Sequence, residues 1–467
     1  MPWELDVNLK DVILDFTYLS LFLMVGTTLR RYVPFFQRFL IPNNILGGFF
    51  GLLVGSQVLG IIELDADRLG TYVYHFLALT FIAMGLRKEK TKWGKGPLSK
   101  TNITILCYLG QGLSGLLIAM LLIKTVFPDL FPGIGLLVPL GFGMGPGLAY
   151  AMGSSWEVYQ GTEVFPGGGL VGLTMASIGY LIAFFAGLAF ITWGIRTGRT
   201  KLIKGMDQVT DDLRRGILKD SELPIAGKLT MATEAIEPMA FQVGLIGTVY
   251  LLTYVLVNYL SGLMLANGLD GFVATLWSFH FIFAILLTLA VRRILDMTGR
   301  SYTIDTGLMN RSAGILIDYL VTASIAAISV AVVKMYWLPI LLMSVAGGFI
   351  TWAIIWWASY RAYDDYPFER FVGVFGEMTG TINSGLVLIR VTDPQFETNV
   401  AEDSIYGSGL TIFVGFPLLI VLNLPMNLWG NTLQGYWYTM GIFVLYAIVI
   451  IIFWRLIGYL SFKKTLE

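Results

Sequence analysis

The sequence predicts an all-α polytopic membrane protein, and two observations carry that expectation. The 467-residue chain is 56% apolar and only 13% charged, with a mean hydropathy of +0.72, well beyond what a water-soluble domain needs to fill its core. Apolar stretches near the ~20 residues that a spanning helix requires also recur along the chain, among them Val12–Thr28, Gly168–Gly194, Phe241–Leu265 and Tyr436–Leu460. One such stretch is an anchor; this many make a multi-pass protein in the lipid bilayer.

Composition also excludes several function classes. Net charge is zero, without the basic excess that a nucleic-acid partner attracts. The single Cys107 and the two histidines, His75 and His280, exclude a disulfide framework and leave too few ligands for a zinc or haem site. No Walker A pattern is present, which argues against an ATP-driven pump. Nothing matches a recognised triad or metal motif, so neither an enzyme nor a cofactor is expected. Residues Met1–Leu9 carry Glu4 and Asp6 where a signal peptide would be basic, so the first span is expected to remain in the protein.

Charge then sorts the loops by side, because Lys and Arg concentrate in cytoplasmic connections. Arg30-Arg31, Arg87-Lys88 through Lys100, and Arg292-Arg293 with Arg300 are basic, whereas Glu63–Asp67 and Asn267–Asp270 are acidic or neutral. The alternation places the N-terminus outside and the C-terminal Lys463-Lys464 inside. A full crossing at GFGMGPG (Gly141–Gly147) would export the basic loop that holds Arg196, Arg199, Lys201, Lys204, Arg214 and Arg215. A re-entrant hairpin over about 133–166 keeps that loop inside. Non-helical backbone at membrane depth must be buried in protein or line a watered cavity, so the glycine break implies a site or a pathway.

A second interrupted stretch, Gly373–Pro394, repeats the order of parts: Phe142-Gly143 is matched by Phe375-Gly376, and Gly167–Leu170 by Gly407–Leu410. The charge count brings this hairpin, about 371–392, in from the cytoplasm. Two inverted repeats follow, 10–195 and 240–424, each with roughly five crossings and one hairpin. Residues 196–239 form a cytoplasmic linker, with a helix expected at Gln208–Lys219, and 433–460 add a further C-terminal helix. Paired discontinuous segments in inverted halves are a plan of secondary transporters, with substrate held near the midplane.

Several stretches of the chain resemble the bacterial glutamate:sodium symporters, relatives of the sodium:citrate carriers. They are FLIPNNILGGFFGLLVG (39–55), LALTFIAMGLRKEK (77–90), GFGMGPG with GGGLVGLTMASIGYLIAFFAG (167–187), and YDDYPFERFVGVFGEMTGTINSG (363–385). The chain departs from that family at Phe142, Met144 and Glu377 and in its last helix. The resemblance implies sodium-coupled uptake of glutamate or a related small carboxylate by alternating access, in a homodimer of the plasma (bacterial inner) membrane.

Sodium, a hard cation, needs several oxygens, which TGTINS (Thr379–Ser384) supplies. A carboxylate needs N–H donors at a half-helix N-terminus and a guanidinium that can clamp it. Substrate contacts are therefore expected from Gly143, Gly145, Gly147 and Ser154 on the first hairpin, and from Gly380, Thr381, Asn383, Ser384 and Arg390 on the second. Ion contacts are expected from Thr379, Thr381 and Asn383. Glu377 and Asp318, carboxylates in membrane segments, are candidates for sodium or proton coupling. Asp318 shares a helix face with Thr322. Competing readings are close helix packing at the glycines, a carboxylate satisfied within the bundle at Asp318, snorkelling at Arg390, and an exposed outer loop for Trp156 and Glu157. A proton-coupled or non-glutamate carrier of this fold, or a channel built on the same hairpins, remains an alternative.

Overall fold

The computed structural model describes residues 8–87, 94–203, 205, 211–218, 225–269, 272–394 and 396–462. Glu4, Asp6, Lys88, Lys204, Asp270, Lys463, Lys464 and the ends of the segment Gln208–Lys219 lie outside the described residues.

The elements run α1 (Leu9–Tyr32), α2 (Pro34–Arg38), α3 (Asn43–Val54), α4 (Ala66–Leu86), α5 (Lys95–Thr125), a 3-10 turn (Pro132–Leu136), α6 (Leu137–Phe142) and α7 (Pro146–Ser155). A two-stranded ribbon, β1 (Val158–Tyr159) and β2 (Thr162–Glu163), leads to α8 (Gly168–Arg196) and α9 (Asp211–Arg215). The remainder is α10 (Pro238–Ala266), α11 (Val273–Ser278), α12 (His280–Met297), α13 (Thr306–Ala326), α14 (Val330–Ala362), α15 (Pro367–Thr379), α16 (Ile382–Thr392), α17 (Val400–Asn427) and α18 (Leu433–Leu456).

Helix starts follow local chemistry. Asp65 Oδ1 accepts from Arg68 N at 2.7 Å and Asp305 Oδ1 from Leu308 N at 2.8 Å, satisfying amides that a first turn leaves open. Pro146, Pro238 and Pro367 occupy the first positions of α7, α10 and α15, where an N–H has no partner to lose. Pro339 inside α14 accompanies the non-helical backbone at Tyr336, a kink of the kind a ring in a helix imposes.

Among the described residues, eight helices are long and apolar enough to cross a membrane: α1, α4, α5, α8, α10, α14, α17 and α18. Three of the crossings expected from the sequence differ in character. Helix α3 has 12 residues, about 18 Å at 1.5 Å per residue. Helices α12 and α13 have 18 and 21 residues but carry Arg292, Arg293 and Asp296, and Arg311 and Asp318. The linker helix α9 has five residues and ends before Gly216, which takes φ +72°.

The helices sort into two groups by contact. Helices α1, α3, α4, α10, α12 and α13 pack on one another; α5, α8, α14, α17, α18 and the broken elements α6–α7 and α15–α16 form the second group. Helices α4 and α13 are the main helices of the first group that touch α7 and α8. Helix α18 lies on α5, with Trp454 Nε1 donating to Ser99 Oγ at 3.2 Å.

Both broken elements are helical hairpins. Phe131, just before the first, stacks on Phe165 at 4.7 Å and meets Trp156 at 6.3 Å, so the segment leaves the bundle at the end where it entered. In the second, Gly373 faces Ile389 and Gly376 faces Leu388 and Gly385, the pairing of two antiparallel helices held close by glycine.

Candidate functional site

The two turns converge on one face of α5. At the first, Gly145 takes φ +92° with open space where a side chain would be, a conformation natural to glycine, and α7 starts at the next residue. Tyr108 of α5 donates to Gly143 O at 3.3 Å. At the second, α15 ends at Thr379 and α16 begins at Ile382. Gln111, three residues beyond Tyr108, donates from Nε2 to Met378 O at 2.9 Å and to Thr351 Oγ1 of α14 at 2.8 Å. Its Oε1 is buried without a partner beside Gly143. On the opposite side, Gly179 of α8 lies against Thr379 O and the Phe142 ring.

Around these turns the expected residues divide. Thr381 is half-buried, Asn383 exposed and Ser384 buried beside Gly380. The Thr379 hydroxyl donates to Phe375 O at 2.8 Å, and the Thr379 carbonyl lies against Gly179 of α8. Gly147 is packed on Leu77 of α4, which makes it a contact between the two helix groups.

Glu377 sits in the last turn of α15 with a partner that sequence reasoning missed. Lys100 Nζ lies 2.7 Å from Glu377 Oε1 and donates to Ser408 Oγ of α17 at 2.6 Å. Ser408 Oγ is 2.6 Å from the same Oε1, and Ser404 Oγ donates to Oε2 at 3.2 Å. Lys100 is 2% and Glu377 6% exposed, so that loss of either partner alone would strand a buried charge. Nearer the start of α15, Arg370 pairs with Asp403 at 2.7 Å and Asp365 at 3.0 Å, under the Tyr363 ring at 4.3 Å. Lys95 pairs with Asp364. A cavity of about 390 Å³, lined by Lys95, Asp364, Asp365, Arg370, Glu402 and Asp403, lies beside a much smaller one that Arg370 and Asp403 share with Lys100.

The signal for Lys100 and Gln111 was present. Lys100, Thr104, Tyr108 and Gln111 recur at helical spacing within α5 and make one polar stripe. Asn102 Nδ2 and Thr104 Oγ1 are buried there without partners.

Four other residues stand away from the turns. Asp318 Oδ1 accepts from Asn44 Nδ2 of α3 at 2.8 Å, and Thr322 Oγ1 donates to Asn44 O at 3.1 Å. The shared face is real, but it clamps α3 onto α13 and does not join Glu377. Arg390, at the far end of α16, donates to Asp212 of α9 at 2.7 Å. Ser154 lies beside Gly169, at the end of α7 opposite Gly145. Trp156, expected in an exposed loop, is 1% exposed and donates from Nε1 to Asn423 of α17 at 2.9 Å, because the hairpin folds its indole into the bundle.

Glu157 is also tucked in, accepting from Gly169 N at the start of α8 at 3.0 Å. Burial pushes its carboxyl up to about 7, from 4.5, against the lowering effect of that amide. The folded state thus keeps a proton that the unfolded chain releases, and this residue's contribution to stability falls as pH rises from 4.5 to about 7. Melting curves across that range are expected to show a downward slope that Glu157→Gln flattens; an unchanged slope would assign it to other groups.

No family model matches this chain, and no curated protein sequence matches it.

Proposed function

We propose that the chain is a secondary transporter of a small carboxylate, built from two inverted halves and working by alternating access. The observation that carries this reading is the convergence of two glycine-broken hairpins, far apart in sequence, on Tyr108 and Gln111 of α5. The order of parts supports it: α1, α3, α4, α5, α6–α7 and α8 are followed by α10, α12, α13, α14, α15–α16 and α17. Equivalent helices pack face to face, α4 on α13 and α5 on α14. An odd number of crossings per half turns the second copy over, as in inverted-repeat transporters.

In this reading the first amides of α7 and α16 face the carboxylate, with Gly145 and Gly380 opening the backbone. Sodium sits at the second turn on the Thr379 carbonyl with Thr381 and Asn383. The group that holds both hairpins moves against the other, in a homodimer of the plasma membrane with the N-terminus outside. Glutamate is the first solute to test, from the resemblance to the glutamate:sodium symporters.

Uptake of radiolabelled L-glutamate into proteoliposomes, with and without an inward sodium gradient, tests the proposal. Sodium-driven accumulation above equilibrium is the expected result. Equilibration without accumulation would indicate a channel, and failure of every small carboxylate in competition would overturn the substrate class.

A further inference from the structure

The deepest charge of the second hairpin is already matched by a cation that belongs to the chain. Lys100 Nζ, Glu377 Oε1 and Ser408 Oγ form a closed triangle with sides of 2.7, 2.6 and 2.6 Å. Ser404 Oγ stands on Oε2, and Ser404 O accepts from Ser408 Oγ at 2.8 Å. A carboxylate and a hydroxyl on the ammonium, with a second hydroxyl on the other carboxylate oxygen, are hard oxygen ligands of the kind a small cation takes. Three elements contribute: α5 the ammonium, α15 the carboxylate and α17 the hydroxyls. The stem is accommodated as well, since Gly407 of α17 lies against the Lys100 methylenes, where any side chain would collide.

We propose that the Lys100 ammonium is a tethered substitute for a bound cation at Glu377, so that this site takes no free sodium in the native chain. The inference rests on the transporter reading for its meaning: it confines free coupling ions to the turn at Thr379–Asn383 and makes the Glu377 site one whose cation cannot leave. Helices α5, α15 and α17 are held together by it. Arg370 and Asp403 line both the small cavity at Lys100 and the larger one beside it.

Binding of radioactive sodium to the purified full chain tests this, alongside melting in equal concentrations of sodium or choline chloride. Wild type and Glu377→Gln are expected to bind sodium alike. Lys100→Met is expected to gain an additional saturable sodium site and to melt higher in sodium than in choline. Both gains are expected to vanish in Lys100→Met/Glu377→Gln. A folded Lys100→Met without the extra site would overturn the proposal, as would sodium bound by wild type and lost in Glu377→Gln. The second comparison decides if Lys100→Met does not fold. Neither readout needs a transported solute, so absence of glutamate uptake would count against the transporter reading and leave this result standing.

Discussion

Lys100→Met and Glu377→Leu, made singly, are each expected to destabilise the protein by about 3–5 kcal/mol, whereas the double variant is expected to fall within ~1 kcal/mol of the native chain. Each single change leaves a buried charge without its counter-ion: Lys100 and Glu377 are 2% and 6% exposed, and water cannot take over the lost interaction. The double change replaces both groups with apolar side chains of similar volume, and Ser408 Oγ keeps Ser404 O at 2.8 Å as its acceptor. Unfolding in choline buffer, where no small cation can refill the site, measures all three variants. Additive losses would mean that the two residues are stabilised by separate neighbours and are not one unit.

Gly179→Ala is expected to cost about 1–3 kcal/mol and to lower uptake, because the added methyl meets Thr379 O and the Phe142 ring together. A backbone carbonyl cannot swing aside as a side-chain end can, so the collision moves the turn of the second hairpin and presses on the first. Gly187→Ala, one helical stretch further along α8, is the control: its methyl meets the tip of Leu388, which can rotate away. Melting and uptake of the pair separate a misplaced turn from a general loss of packing. Equal losses in both variants would remove Gly179 from the account of the site.

The broken hairpins were legible because lipid leaves so few reasons for Gly141–Gly147 or Thr379–Ser384 to interrupt an apolar stretch. Glu377 stood out for the same reason, as a charge where charge is expensive. Lys100 did not, since it reads as the last residue of a basic loop that begins at Arg87. In the folded chain it lies more than a turn inside α5. Its partner is 277 residues away, and a pairing at that distance leaves no local pattern in a single sequence. Gln111 was missed because one amide in an apolar span is unremarkable until its spacing from Lys100, Thr104 and Tyr108 is noticed. Arg390 misled in the opposite direction: a guanidinium near the second hairpin suggests a carboxylate clamp, yet Asp212 of the short linker helix receives it. Trp156 was placed by its loop-like neighbours, while burial of its ring against Phe131 decided its position.

The central claim, that the two hairpins enter from opposite faces of the membrane, is tested most directly by side-specific labelling of single cysteines at Gln160 and Phe396. Both positions are exposed, one in the loop after α7 and the other after α16, and the native Cys107 is fully buried. With a membrane-impermeant thiol reagent on sealed cells and on inverted vesicles, the account predicts that Gln160→Cys reacts only from outside and Phe396→Cys only from the cytoplasmic side. Labelling of both from the same face would contradict the inverted arrangement, and with it the alternating-access mechanism.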